Sequence, residues 1–382
     1  MLPGQISLMR KFFNIAIPGR RIFGLDILRA LAILFVAGRH SSYLLPKPLY
    51  EFANLFIFDG VSIFFVLSGY LIGGILIRTV ENGQTSGVDL LHFWKRRWWR
   101  TLPNYFLILV LLCVIHFVFS PSFSVKTIAP YFIFSQNIAS EHPWFFPEAW
   151  SLSIEEWFYL LVPALLFSLV SLVKLKPRSS FIAIIIVIIL LVTWGRYIRF
   201  KTLAVADIES WDLIFRKQVV SRLDSLMFGV LGAFIKFYYP SRWHKSPKAW
   251  LLLGTSLFLF LKFAGVRMFP ALGLYDCVFS FTVVSVATLC LLPFLSELKN
   301  GHGFFYRLIT RTSLISYAMY LINLSLIKFW IIDQVNWMAL FPNGSLLMAS
   351  KFLLFWLLTI AGSVILYKYF ELPMTNLRDS RK

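Results

Sequence analysis

Charge is what this chain has least of. Only 14% of its 382 residues are Asp, Glu, Lys or Arg, against 58% hydrophobic types, where a soluble globular domain carries roughly 25% charged residues. A water-soluble fold this apolar would expose large sticky patches, and a mean hydropathy of +0.74 points to a bilayer as the solvent. Cysteine is nearly as scarce. Cys113, Cys277 and Cys290 lie in apolar runs and form no C-x-x-C pair, which argues against a disulfide framework and a thiolate site; no metal is expected. Acidic residues number 18 against 37 Lys plus Arg, a net charge of +19. In a soluble protein that excess would suit nucleic acid; in a membrane protein it collects in cytoplasmic loops, and its distribution here argues against a nucleic-acid partner. There is no internal repeat, no low-complexity tract and no loop long enough for a separate catalytic domain. Any chemistry therefore uses residues in or beside the apolar runs.

A spanning helix needs about 20 mostly apolar residues. About ten runs qualify: 23–45, 53–77, 102–120, 149–173, 179–200, 219–239, 248–265, 274–295, 313–333 and 345–370. They are too long and continuous for barrel strands. The expected fold class is all-α integral membrane, a bundle of about ten transmembrane helices. The first run follows Arg20 and Arg21, contains Asp26 and Arg29 and lacks a small-residue cleavage site, so it reads as a retained span rather than a signal. Residues 127–138 are apolar but short and are expected to be interfacial or re-entrant. With the N-terminus inside, the inner segments hold Arg10, Lys11, Arg20, Arg21, Arg78 and Lys95 to Arg100, then further basic clusters at 174–178, 236–248, 299–311 and 378–382. The outer loops hold fewer, except 196–218, whose five basic residues are mixed with Asp207, Glu209 and Asp212. The asymmetry predicts both termini in the cytoplasm. The expected division is a cytoplasmic segment 1–22, a transmembrane domain 23–370 and a cytoplasmic tail 371–382, multi-pass in the inner (cytoplasmic) membrane.

Ionisable groups inside spans are costly and mark function by default. The first run reads GLDILRALAILFVAGRHSSYL, with Arg29 and His40 eleven residues apart. At 100° per residue they fall within roughly 20° of one helix face, about three turns apart, and that face is expected to look into the bundle. His40 suits a general base near neutral pH, although a buried histidine that only hydrogen-bonds fits as well. Asp26 either joins the site or simply pairs with Arg29. In FFVLSGYLIGG, Ser68-Gly69 and Gly73-Gly74 suit close helix approach. Ser68 as a nucleophile is the weaker reading, because position 66 is Val and the G-x-S-x-G elbow is absent. Arg96, Arg97 and Arg100 in HFWKRRWWRTLPNYF are either phosphate ligands or positive-inside anchors beside Trp98 and Trp99; composition alone favours anchors. EAWSLSIEEWFYLLVPALL offers Ser153 and Glu156 as a capping box. That leaves unexplained Glu155, four residues after Ser151, and Tyr159. In SRLDSLMFG, Arg222 and Asp224 are expected to neutralise each other, and Glu371 in YKYFELP closes the last span.

Seven stretches in this order resemble the acyltransferase 3 family of integral membrane acyltransferases: LDILRALAILFVAGRH, GVSIFFVLSGYLI, RRWWRTLP, WSLSIEEWFYLLVP, RLDSLMFG, ISYAMYLIN and YKYFELP. They run from residue 23 to about 378. Each alone is weak; the ordered set is specific. The resemblance implies a ten-helix protein that moves acyl groups, usually acetyl, from cytoplasmic acyl-CoA to hydroxyls of glycans, lipid-linked sugars or secondary metabolites. Arg29 and His40 match the family's R-x10-H pair, and Ser68-Gly69, Arg97, Arg100, Trp150, Ser151, Glu155, Glu156, Arg222 and Asp224 match other recurrent positions. One departure stands out: Asn323 occupies a position where the family often has His, so that histidine is not required here or its role has moved. Some relatives carry a fused extracytoplasmic esterase-like domain, and none is expected within these 382 residues.

The expected reaction is O-acylation of a carbohydrate, with acyl-CoA (acetyl-CoA) as co-substrate and no bound cofactor. Arg96, Arg97 and Arg100 meet the CoA phosphates. His40 deprotonates the acceptor hydroxyl or carries the acyl group, Arg29 stabilises the oxyanion or holds CoA, and Glu155 or Glu156 orients His40 or binds the sugar. Asp26, Ser68, Trp150, Ser151, Tyr159, Arg222 and Asp224 complete the candidate binding set. Lipopolysaccharide, capsule, exopolysaccharide and small glycosides are not distinguished as acceptors, and oligomeric state is not readable. The rival class is a transporter, whose intramembrane charges would mark a substrate path; the lack of two similar halves weighs against it.

Overall fold

The computed structural model describes residues 15–19, 21–120, 124–265, 268, 270–340 and 344–380. Arg10, Lys11, Arg20, Arg381, Lys382 and the side chain of Arg378, all used above to orient the chain, lie outside the described residues. Among the described residues ten long helices follow one another: α1 Phe23–Ser42, α2 Gly60–Glu81, α3 Gly87–Phe119, α4 Ala149–Ser171, α5 Pro177–Thr202, α6 Leu223–Tyr238, α7 Pro247–Leu259, α8 Ser280–Leu295, α9 Gly303–Ile322 and α10 Gly344–Leu366. Each expected apolar run overlaps one of them, although α3 and α9 begin ten or more residues before theirs, and no strand occurs among the described residues. Eight helical stretches among the described residues are long and apolar enough to cross a membrane. The other two, α1 and α6, fall short for visible reasons: α1 carries Asp26, Arg29 and Arg39, and α6 has only 16 residues. The chain is a multi-pass, all-α membrane protein.

Local signals explain several boundaries. The Asp59 side chain accepts from Ser62 N at 3.3 Å to start α2, and Ser86 and Asp89 form a reciprocal capping box on α3. Among the described residues five segments widen into π-turns, at 212–216, 260–265, 275–279, 323–332 and 367–371, a geometry that often marks functional positions.

The chain divides into two compact units. The first comprises 1–57, 98–115 and 296–382. Here the start of α1 is fastened by Phe23 N and Gly24 N donating to the carbonyls of Lys299 and Leu298, at 3.3 and 2.9 Å. Tyr317 OH on α9 donates to Thr101 O at 2.8 Å, and Asn104 Nδ2 donates to Glu371 Oε2 at 2.8 Å. Glu371 thus closes the last span by pairing with α3.

The second unit comprises 58–97 and 116–295. Its α2 and α6 meet backbone to backbone. A Cβ on Gly69 would be driven into the carbonyl of Leu226, one on Gly229 into the carbonyl of Val66, and one on Gly73 would lie 3.0 Å from Val230 Cα. The expected close approach is real at Gly69 and Gly73; Gly74 faces only the Arg78 side chain, 3.8 Å away. Trp211 stacks on Phe281, with centroids 5.5 Å apart, holding the segment after α5 onto α8.

Two expectations are corrected. Helix α4 begins at Ala149, so Ser153 lies inside it and forms no capping box with Glu156. Its hydroxyl instead donates to Phe134 O at 2.5 Å, beside Trp157 Nε1 at 2.9 Å. Phe134 has φ +56°, which turns its carbonyl out of the local chain to take both donors. The outer loop expected from residue 196 also starts later, because α5 runs to Thr202 and keeps Arg196 inside the helix.

Candidate functional site

The first unit holds the Arg29–His40 pair on α1. His40 Nδ1 lies 2.5 Å from Oδ1 of Asn323, the residue at which α9 passes into its π-turn. Asn323 is fully buried. Its Nδ2 donates to the carbonyls of Met319 and Tyr320 at 2.8 and 2.9 Å. The position singled out as a departure from the family pattern is therefore the partner of the candidate base.

About four turns from His40 along α1, Asp26 is buried among donors. Arg21 Nε donates to its Oδ2 at 2.9 Å, Arg21 Nη2 to its Oδ1, and Ser313 Oγ to the same Oδ1 at 2.7 Å. Arg29 Nη1 stands 3.8 Å from Asp26 Oδ1 and 3.5 Å from Ser313 Oγ. The expected Asp26–Arg29 pair exists, but Arg21 is the tighter partner. In the sequence Arg21 reads only as a loop charge; five residues before Asp26 across a helix start, it carries no periodic signal. Arg100, on the part of α3 in this unit, is exposed, and its charge acts on Glu371.

The second unit brings together Ser68, Glu155 and Tyr159. Ser68 Oγ donates to Glu155 Oε1 at 2.9 Å, and Tyr159 OH donates to Oε2 at 3.2 Å. Both carboxylate oxygens are thereby held by hydroxyls, and Trp94 Nε1 pins the same turn of α4 through Tyr159 O at 3.0 Å. Ser68 thus serves a carboxylate, which the packing reading of its motif did not foresee. Glu156, the next residue, is buried. On α3, Arg97 lies over the Phe93 ring at 5.9 Å, while Arg96 is exposed.

Trp150 and Ser151 open α4 and are buried. The Trp150 ring stands edge-on to Phe65 at 6.0 Å and carries the Arg216 guanidinium 4.9 Å above it. Arg216 also pairs with Asp59 at 3.5 Å and Asp212 at 2.9 Å, and Lys217 meets Asp212 at 2.6 Å. Burial pushes the Asp212 carboxyl up, but Arg216 and Lys217 together hold it below the usual carboxylate range. Nearby, Asn137 Nδ2 ties down the loop before α4 by donating to Trp150 O at 3.1 Å and Lys217 O at 2.5 Å. In the same loop, burial drives His142 down to about 4, and its Nε2–H donates to Phe146 O at 3.0 Å.

Arg222 and Asp224 do not neutralise each other directly. Asp224 forms a two-pronged ion pair with Arg196, at 3.1 and 2.7 Å, with both side chains fully buried. Arg222 donates to Ser62 Oγ at 2.6 Å and lies over the Phe281 ring at 4.2 Å. The sequence signal for Arg196 is an arginine interrupting the apolar run 179–200, at the point where the expected loop 196–218 overlaps it.

A family model described as an acyltransferase domain matches residues 22–368. Among curated relatives, the O-acetyltransferase OatA of Staphylococcus aureus is 31% identical over 233 residues, covering 56% of this chain and 35% of the relative. The peptidoglycan O-acetyltransferase OatA of Listeria monocytogenes is 34% identical over 164 residues, covering 39% and 25%. The putative peptidoglycan O-acetyltransferase YrhL of Bacillus subtilis is 34% identical over 187 residues, covering 45% and 27%. The matched part of the chain thus spans about a third or less of each relative's length. No solved structure matches.

Proposed function

Because this chain belongs to the acyltransferase 3 family, whose model spans residues 22–368, we propose that it is an O-acetyltransferase moving an acetyl group from acetyl-CoA to a carbohydrate hydroxyl. The acceptor is a cell-surface glycan or its lipid-linked precursor, and peptidoglycan, which two of the relatives are named for, is the first to test. The enzyme sits in the cytoplasmic membrane with both termini inside, so that CoA is met from the cytoplasm by Arg96, Arg97 and Arg100. A glycan transporter is not favoured, since the family matched is one of acyltransferases.

The observation that carries this reading is His40, on the helix of Arg29, hydrogen-bonded through Nδ1 to a buried amide oxygen. His40 takes the hydroxyl proton as the acceptor oxygen bonds to the thioester carbonyl carbon. The C–S bond breaks, and the proton passes from the imidazolium to the departing CoA thiolate. Arg29 supplies positive charge where the oxyanion develops. Glu155, held by Ser68 and Tyr159, accepts hydrogen bonds from the sugar.

The test is transfer of isotope-labelled acetyl from acetyl-CoA to peptidoglycan or a lipid-linked glycan in membranes carrying the protein. Wild type is expected to label the glycan, and His40→Ala to lower the rate by about 10²–10⁴-fold per inserted protein, the usual contribution of a general base. Undiminished transfer by His40→Ala would overturn the mechanism. Movement of glycan without acetylation would favour a transporter.

A further inference from the structure

The bonds around Asn323 determine which nitrogen of His40 does the chemistry. Backbone carbonyls only accept hydrogen bonds. The group of Asn323 that faces Met319 O and Tyr320 O, at 2.8 and 2.9 Å, must therefore be the NH₂. A flipped amide would set its oxygen against two carbonyl oxygens in a fully buried position, which is the kind of network argument that assigns amide orientation. The oxygen is left facing His40 Nδ1 at 2.5 Å. An amide oxygen is also only an acceptor, so Nδ1 must carry the hydrogen. Rotating the imidazole by half a turn would put a ring carbon there and lose the bond.

A neutral imidazole has one N–H and one lone pair. We infer that Asn323 is a positioning residue that locks His40 in its Nδ1–H tautomer and so presents the basic Nε2 lone pair to the acceptor hydroxyl. The inference rests on the proposed role of His40 and deepens it to a single atom. The π-turn supplies the means: at Asn323 the regular helical ladder changes register, and the side-chain amide bonds the carbonyls of the preceding turn while its oxygen reaches across to α1. The partner is neutral, so it orients the ring without adding a counter-charge. This differs from an Asp–His arrangement, where the orienting group also stabilises the imidazolium.

Two substitutions separate orientation from packing. Asn323→Leu keeps the branched shape, with methyl groups in place of the amide oxygen and nitrogen, and removes the acceptor. Asn323→Asp keeps an acceptor oxygen but loses both NH₂ bonds and sets a carboxylate against two carbonyls, so a purely structural role would make Asp the worse variant. If Asn323 positions His40, the order of activity is reversed. Leu should lower kcat by about 10²–10³-fold, within the range that loss of a general base produces, with KM for the glycan changed less than about threefold. Asp should recover at least about tenfold of that loss. The second arm is the ¹⁵N spectrum of histidine-labelled protein, with the His40 signal assigned by its disappearance in His40→Gln. Wild type should show a neutral ring protonated at Nδ1, and Asn323→Leu should shift the population towards the Nε2–H form. A wild-type His40 protonated at Nε2 alone, or wild-type kcat in Asn323→Leu, would overturn the inference. If wild type transfers acetyl to no glycan, the functional proposal fails while the spectrum still decides the tautomer.

Discussion

Removing Asp224 should unfold the second unit far more readily than removing Asp224 and Arg196 together. Both side chains are fully buried, and the guanidinium grips the carboxylate at 2.7 and 3.1 Å. Arg196 has further acceptors in Ser221 O at 3.0 Å and Thr282 Oγ1 at 3.1 Å, but none of them carries charge. Asp224→Ala therefore leaves an uncompensated cation out of water, a change that typically costs about 3–5 kcal/mol, whereas replacing a whole buried pair by apolar residues of similar volume is often neutral or stabilising. The double variant Arg196→Met with Asp224→Leu should thus recover most of what the single variant loses. Thermal unfolding of purified protein in one detergent, with expression level read in parallel, gives the three values of the cycle and the coupling between the sites. Wild-type stability in Asp224→Ala, or a double variant no more stable than the single, would refute the ion-pair argument.

Two further outcomes follow from the same geometry. Glu155→Gln should lower turnover by about 10²-fold or more, because it replaces one acceptor oxygen with a donor facing Ser68 or Tyr159; acetyl transfer per inserted protein checks this, and full activity would remove Glu155 from the site. The docking of the loop that bears His142 should weaken in acid. His142 is neutral in the fold, held down to about 4, while a released loop would bind its proton near 6.5. The stabilisation is complete above about pH 6.5, declines as pH falls towards 4, and amounts at most to about 3 kcal/mol. Hydrogen-exchange protection factors of residues 124–148, each rate compared with the intrinsic exchange rate at the same pH, should fall between pH 7.5 and 4.5 in wild type and much less in His142→Phe; a flat wild-type profile of protection would count against the argument.

The helices were legible because a bilayer leaves few alternatives: an apolar run of spanning length must satisfy its own backbone, and every expected run overlaps a helix. The periodic relation of Arg29 to His40 was also legible, since both belong to one element. What sequence spacing could not reveal were the partners brought from afar. Asp224 has Arg222 two residues away and pairs instead with Arg196. Asp26 has Arg29 one turn on and is gripped by Arg21. Ser153 and Glu156 have capping-box spacing, yet the helix starts earlier and the Ser153 hydroxyl is taken by Phe134 O. In each case local spacing named a plausible partner and a tertiary contact supplied a better one. Asn323 was visible only as a deviation, and its bond to His40 crosses 283 positions of sequence.

The glycine contacts of α2 and α6 have a mechanical consequence. With Gly69 against Leu226 and Gly229 against Val66, no side chain stands between the two backbones to act as a roller. Sliding one helix along the other by a single residue would bring a Cβ into a carbonyl. The pair is therefore a strut, and any breathing the second unit undergoes during a catalytic cycle has to take place at its other joints. Ser68, one residue from Gly69, rides on that strut, so the hydroxyl that holds Glu155 keeps a fixed height along α6 whatever the rest of the unit does.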